Sequence, residues 1–185
     1  MDAQKHSASP LPLVSVVIVN FRSWPDVVRL VDSLAGSAEV SAGRSEIVVV
    51  DNASPESVPD ALTAPRPGVR LVARAENGGF SAGVNAGWRA ARGSWLLVLN
   101  PDVVPGPGML GLVDRRIGEF EGRASGPPGV VGFELRNPDG SRQPSVGAFP
   151  GLLRAGWEQL IPRHRRKYQP DWRLRAGPVD WVTGA

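Results

Sequence analysis

Apolar residues fall along this chain in short continuous runs that alternate with stretches of helical spacing, and several runs stop abruptly at polar residues. Val14 to Val19 is a β-branched run that reads as a central strand leading into Asn20-Phe21-Arg22-Ser23. Val27, Val31 and Leu34 then recur at helical spacing as far as Gly36, with Pro25 in the first turn and Ser23 and Asp26 as a capping box. Glu46 to Val50 repeats the strand pattern and stops at Asp51-Asn52-Ala53-Ser54. Pro59 to Leu62 opens a short helix, and Val69 to Val72 reads as a more exposed strand. The Gly-rich stretch Glu76 to Trp88 runs into a helix that puts Val84, Trp88 and Ala91 on one face, with Gly93 past its end. Trp95 to Leu99 is a five-residue apolar run, expected to be a strand buried on both faces, and it ends at Asn100-Pro101-Asp102.

The second part of the chain is less regular. Leu110, Val113, Ile117 and Phe120 form a helical stripe that Gly126 to Gly129 breaks. Val130 to Phe133 is expected to be a strand, and Asn137-Pro138-Asp139-Gly140 is a turn signal that makes Phe133 to Pro144 a hairpin or a strand with a protruding turn, with Asp139 as a turn residue. A short helix around Leu152 to Leu160 and a last strand at Val179 to Val182 complete the pattern. Strands alternating with helices predict an α/β fold, a mostly parallel Rossmann-like sheet flanked by helices. In such sheets ligands bind outside the carboxyl ends of the strands, so Asn100 and Asp102 project from the sheet edge toward a ligand crevice. The plainer reading makes Pro101-Asp102 only a turn that leads into the next helix.

Composition narrows the classes. With 185 residues, 42% of them hydrophobic, the chain buries a core as one domain, expected over residues 13–185 behind a disordered lead-in at 1–12. There is no Cys, which excludes disulfides, thiolate metal sites and a cysteine nucleophile. The net charge of +3 comes from scattered Arg residues and lacks the basic stripe of a nucleic-acid binder. The cluster Arg163-His164-Arg165-Arg166-Lys167 reads as solvated surface, with phosphate or acidic-lipid contact as the alternative. No apolar run reaches the roughly 18 residues of a membrane span, so the expected setting is the cytoplasm or the inner face of a membrane. His6 and His164 give no support to a Ser/His/Asp site. Asn52-Ala53-Ser54 matches a glycosylation acceptor but sits at a strand end facing the proposed site.

The Gly-rich loop fits neither phosphate-binding fingerprint. From Gly78, the third position of a dinucleotide loop is Phe80, and the Lys of a P-loop is replaced by Val84. Phosphate charge would then be neutralised by a divalent cation, Mg²⁺ or Mn²⁺, held by Asp102 and completed by phosphate oxygens and water. A nucleotidyltransferase would want a basic Gly-rich loop after the first strand, and residues 20–23 have no Gly.

The ordered set Val14 to Asn20, Val49-Val50-Asp51-Asn52-Ala53-Ser54, Asn77-Gly78-Gly79-Phe80 with Gly83, Asn85 and Gly87, and Leu99-Asn100-Pro101-Asp102 resembles the family 2 glycosyltransferases, and within them the rhamnosyltransferase-like branch. Asn137 to Gly140 and Val179-Asp180-Trp181 with Gly184-Ala185 match that branch as well. The resemblance implies a nucleotide-diphospho-sugar transferase fold and a nucleotide-diphosphate sugar as partner. It implies that Asn20 and Phe21 line the base, that Asp51 with Asn52 contacts the base ring, and that Asn77 and Gly78 approach the nucleoside, with tight packing as the other explanation of Gly78. It implies that Asn85 orients the loop or reaches the nucleotide, with helix capping as its alternative. Asp102 corresponds to the last acid of the family's Asp-x-Asp metal motif, with Asn100 at its first position.

The implied reaction is an inverting displacement that transfers a sugar, rhamnose by analogy, to a saccharide or lipid-linked acceptor in polysaccharide biosynthesis, in which a base deprotonates the acceptor hydroxyl. The family's catalytic carboxylate lies after the Gly-Ala corresponding to Gly184-Ala185, so the base is expected beyond Ala185. Asp180 is structural or acceptor-facing. The chain is therefore expected to be truncated, a donor- and metal-binding half with little turnover alone and with self-association through exposed apolar surface. The alternative is an inactive nucleotide-sugar binding or interaction module.

Overall fold

The computed structural model describes residues 11–143, 145–147 and 181–182. The helix expected at 152–160, the basic cluster at 163–167, His6, Asp180, residues 184–185 and most of the lead-in lie outside the described residues. Between Pro127 and Pro128 the chain divides into two compact units.

The first unit is a parallel sheet of β1 (Val14–Asn20), β2 (Ser45–Asp51), β3 (Val69–Ala73) and β4 (Trp95–Leu99) in the order β3-β2-β1-β4. β1 and β2 are buried along their whole length, as their β-branched runs predict. Val14, Val16, Ile18, Ile47 and Val49 face α1 (Trp24–Ala35), α2 (Ala38–Ser41), α3 (Asp60–Thr63) and α5 (Met109–Glu121). Val17, Val19, Val48 and Val50 face the other way, toward α4 (Phe80–Ala90). The crossovers explain this division. The chain steps from β1 through β2 to β3 in one direction and then returns over the sheet to β4, and a right-handed connection that reverses direction must pass on the opposite face. The direction reverses between β1 and β4, which makes the carboxyl ends of those two strands a topological switch point.

Several expectations are corrected. The run at 95–99 is the edge strand of this sheet among the described residues, with Val98 38% exposed, because apolar continuity alone cannot distinguish a central strand from a one-sided one. In α4, Trp88 is 60% exposed, and the buried positions are Gly83 and Gly87. A Cβ on Gly83 would lie 2.5 Å from Val19 Cγ1, and one on Gly87 would meet Val17 and come within 3.1 Å of Val50 Cγ2. The helix thus sits on the sheet through its two glycines, with Val84, Ala86 and Ala90 packed beside them; of the expected stripe Val84 joins the contact face and Trp88 does not. The capping box at α1 does not form: Ser23 makes no side-chain cap bond and Asp26 pairs with Arg29. The helix start is held by Asn20, whose Oδ1 accepts from Ser23 N at 3.1 Å. Val130 to Phe133 is not in a strand.

In the second unit, β5 (Leu135–Arg136) and β6 (Arg142–Gln143) form the expected hairpin, and Gly140 at φ +82° donates its N–H to the Asn137 carbonyl at 2.9 Å. Hydrogen bonds from the Ser141 hydroxyl and backbone N–H to Asp139 hold its carboxyl below the usual range and confirm it as a turn residue. β7 (Val146–Gly147) pairs antiparallel with β8 (Trp181–Val182).

The amino end of the first sheet carries a buried carboxylate that the strand pattern did not reveal as special. Glu46, 1% exposed, accepts from Ser15 Oγ at 2.7 Å, from Arg92 N at 2.6 Å, from Arg92 Nε at 2.9 Å and from Arg70 at 3.2 Å. Burial works to raise its pKa, but these hydrogen bonds and the Arg70 charge outweigh it, and the carboxyl lies below its ordinary 4.5. A group whose pKa is lowered by folding stabilises the fold above its unfolded pKa and loses that contribution as pH falls through the folded value.

Wild-type stability, read from urea unfolding midpoints, should fall as pH drops below about 4.5. Glu46→Gln should be less stable at neutral pH by about 2–3 kcal/mol and should lack that part of the acid-side decline. Gly87→Ala should lower the unfolding free energy by about 1–2 kcal/mol despite the better helix propensity of Ala, because the added methyl has nowhere to go between Val17 and Val50.

Candidate functional site

Each of the two central strands ends in an Asx residue that closes the same turn. Asn20 Oδ1 accepts from Ser23 N at 3.1 Å, and Asp51 Oδ1 accepts from Ser54 N at 3.2 Å, three residues on in both cases. The residue two positions after each Asx, Arg22 and Ala53, stands at φ +61°, a left-handed conformation that costs a non-Gly residue about 1 kcal/mol. Asn20 and Asp51 are register partners, so the two turns lie side by side and are joined. Asn20 Nδ2 donates to Asp51 Oδ1 at 3.1 Å and to Ser54 Oγ at 2.9 Å, Arg22 N donates to Ser54 Oγ at 3.0 Å, and Asn52 N donates to the Asn20 carbonyl at 2.8 Å. This network offsets the strain of both left-handed residues.

A second set of bonds carries the order to the Gly-rich loop. Asn52, 2% exposed, donates through Nδ2 to Asn77 Oδ1 at 2.7 Å and to the Gly79 carbonyl at 3.2 Å, while Asn77 Oδ1 also accepts from Gly79 N at 2.9 Å. Asn52 Oδ1 accepts from the Arg74 guanidinium. Gly79, at φ +81°, then caps α4, a backbone position that favours glycine. Gly78 has a different reason: a Cβ there would lie 2.9 Å from Ala82 Cβ and 2.9 Å from the Arg74 guanidinium, which is packing within the protein.

On the other side of β1, β4 ends beside Ile18, and Asn100 and Asp102 follow it in a turn in which Val103 N donates to the Asn100 carbonyl at 3.3 Å. Asp102 is exposed and Asn100 half-buried. Phe21, 44% exposed, stands at the end of β1. Asn85 is exposed on the second turn of α4, past the cap position. Asn20, Phe21, Asp51, Asn52, Asn77, Gly78, Asn100 and Asp102 therefore gather at the carboxyl edge of one sheet. Three of them, Asn20, Asp51 and Asn52, are less than a tenth exposed and spend their polar atoms on neighbouring loops.

The sequence gives no sign of Arg74, and it shows Ser54 only as a member of its motif, as no local pattern marks a guanidinium or a hydroxyl that bonds across 22 or 34 residues. No three His, Cys, Asp or Glu side chains cluster in a metal-holding arrangement among the described residues. Asp102, with the Asn100 carboxamide nearby in sequence, offers hard oxygen donors at an open edge. That donor set fits Mg²⁺ or Mn²⁺ taken by one carboxylate and completed by phosphate and water.

The sequence profile of glycosyl transferase family 2 matches residues 15–168. The chain belongs to that family. It is 29% identical, over 195 aligned residues and 94% of its length, to the N-acetylglucosaminyl-diphospho-decaprenol L-rhamnosyltransferase of Mycobacterium tuberculosis, and it spans 60% of that relative. It is 38% identical over 93 residues, half of this chain and 26% of the relative, to the succinoglycan biosynthesis protein ExoO of Rhizobium meliloti. Among solved structures, TarS residues 1–349 of S. aureus in complex with UDP-GlcNAc superposes with a TM-score of 0.53 at 22% identity, covering 58% of this chain and 32% of that one, a likeness of fold. The resemblance read from the ordered motifs, including its rhamnosyltransferase-like character, and the mostly parallel sheet are borne out. No helix among the described residues of this family member is long and apolar enough to cross a membrane.

The paired turns test the site's construction. Asn20→Asp should destabilise the protein by about 3 kcal/mol or more at neutral pH, because it sets a second carboxylate against Asp51 and removes the donors to Asp51 and Ser54. Thermal unfolding of the variant beside the wild type at neutral pH reads the loss.

Proposed function

We propose that this chain is the donor- and metal-binding half of a glycosyltransferase that moves a sugar from a nucleotide diphosphate to a saccharide or lipid-linked acceptor with inversion. The observation that carries the reading is the switch point: Asn20 and Phe21 end β1, and Asn100 and Asp102 end its neighbour β4 on the far side of the direction change. Phe21 offers an exposed ring on which a base can stack. Asp51, held in place by Asn20, accepts a base N–H, and that preference favours uracil or thymine. Asn77 and Gly78 flank the nucleoside, and Asn85 on α4 orients the Gly-rich loop or reaches the nucleotide. Asp102, with Asn100, holds the divalent cation. A bound cation supplies charge that stabilises the departing diphosphate. Similarity to a rhamnosyltransferase supports rhamnose as the sugar.

The general base is assigned outside the described residues, since Asp51 is committed to the paired turns and Asp102 to the cation. The chain spans 60% of the length of the mycobacterial relative; in this reading it binds the donor, with the cytoplasm or the inner face of a membrane as its setting. The same division of residues favours, as the second reading, a nucleotide-sugar binding module without activity.

Calorimetric titration with UDP and with dTDP, in the presence and absence of Mn²⁺, tests the donor site. Binding should require the metal, and Asp102→Ala should weaken it about tenfold or more, the value of one charge-assisted contact. Metal-independent binding that Asp102→Ala leaves intact would remove Asp102 from the site.

A further inference from the structure

Arg74 follows β3, outside every motif that defines the site, yet its side chain lies in the middle of the loop contacts. Its backbone N–H donates to the Asp51 carbonyl at 2.9 Å, which aims the residue across the end of β2. Its guanidinium donates to Asn52 Oδ1, leaving Asn52 Nδ2 to hold Asn77 Oδ1 at 2.7 Å and the Gly79 carbonyl at 3.2 Å. The same guanidinium occupies the space a side chain at position 78 would need, 2.9 Å from where its Cβ would stand. A carboxamide can face either way round. A guanidinium has only donors, so it bonds the Asn52 oxygen and turns the Asn52 nitrogen toward two acceptors in the Gly-rich loop.

We propose that Arg74 is a positioning residue of the donor site, setting the orientation of Asn52 and through it the path of Asn77 to Gly79. The inference rests on the donor-binding reading above. Arg74 works through Asn52 and does not touch the nucleotide.

The test is a double-mutant cycle read by calorimetry with uridine and UDP in the presence of Mn²⁺, on Arg74→Ala, Asn52→Ala and the double variant, with thermal unfolding as the control for folding. Arg74→Ala should weaken uridine and UDP by the same factor, about tenfold, the worth of one hydrogen bond to a charged group. The double variant should bind no more weakly than Asn52→Ala, and Arg74→Lys, which still donates to Asn52, should recover most of the affinity. Additive losses, or a loss confined to UDP, would show that Arg74 meets the ligand itself and overturn the proposal, as would unchanged affinity in Arg74→Ala. Amide exchange at Gly79, whose N–H donates to Asn77 Oδ1 at 2.9 Å, decides the point without ligand. Faster exchange in Arg74→Ala supports the positioning role even if the wild type binds neither uridine nor UDP, which would sink the donor reading alone; unchanged exchange overturns it.

Discussion

The carboxamide of Asn20 is buried at the end of β1 and bonds in three directions, accepting from Ser23 N and donating to Asp51 Oδ1 and to Ser54 Oγ. Of the residues short enough to close this turn, Asn alone carries both a carbonyl and two N–H donors. An Asp there could accept from Ser23 but would face the Asp51 carboxylate with nothing to donate. This one side chain therefore decides that β1 and β2 end in matched turns, that Arg22 and Ala53 remain left-handed, and that α1 begins where it does. The remaining loops of the carboxyl edge are built on that pair, through Asn52 to Asn77 and Gly79.

Charge is used differently at the two ends of the sheet. At the amino end, Glu46 is enclosed by Ser15, Arg70 and Arg92 and ties β1, β2, β3 and the segment before β4 into one block. Its oxygens are fully engaged, which suits a structural ion pair. At the carboxyl end the residues divide into a buried polar set that bonds inward and an exposed set, Phe21, Asn85 and Asp102, that faces outward. A site whose inner residues are already satisfied is preorganised, because a ligand need not order them.

Family membership and the structure agree on the same edge of the sheet for different reasons. The profile match runs along most of the chain, and the likeness to TarS is one of fold. The reversal of strand order between β1 and β4 independently selects the place where a ligand can lie between diverging crossovers. The helix that makes the reversal, α4, comes down on Val17, Val19 and Val50 through Gly83 and Gly87, so these motif glycines serve packing, and Gly78 likewise yields its space to Arg74.

The sequence by itself determined the alternation of β1 to β4 with their principal helices, the parallel class of the sheet, the hairpin turn at Asn137 to Gly140 and the list of polar residues that terminate strands. These follow from periodicity and turn chemistry, which act over a few residues. Only the tertiary structure decided that Trp95 to Leu99 is an edge strand of the described sheet, that α4 packs by its glycines with Trp88 outside, and that Asn20 rather than a Ser23 and Asp26 box starts α1. It also decided which of the strand-end residues hold loops and which face solvent. Most of those outcomes depend on partners distant in the chain, such as Val19 for Gly83, Val14 for Trp95 and Ser54 for Asn20, brought together by crossovers whose handedness and order no local pattern encodes.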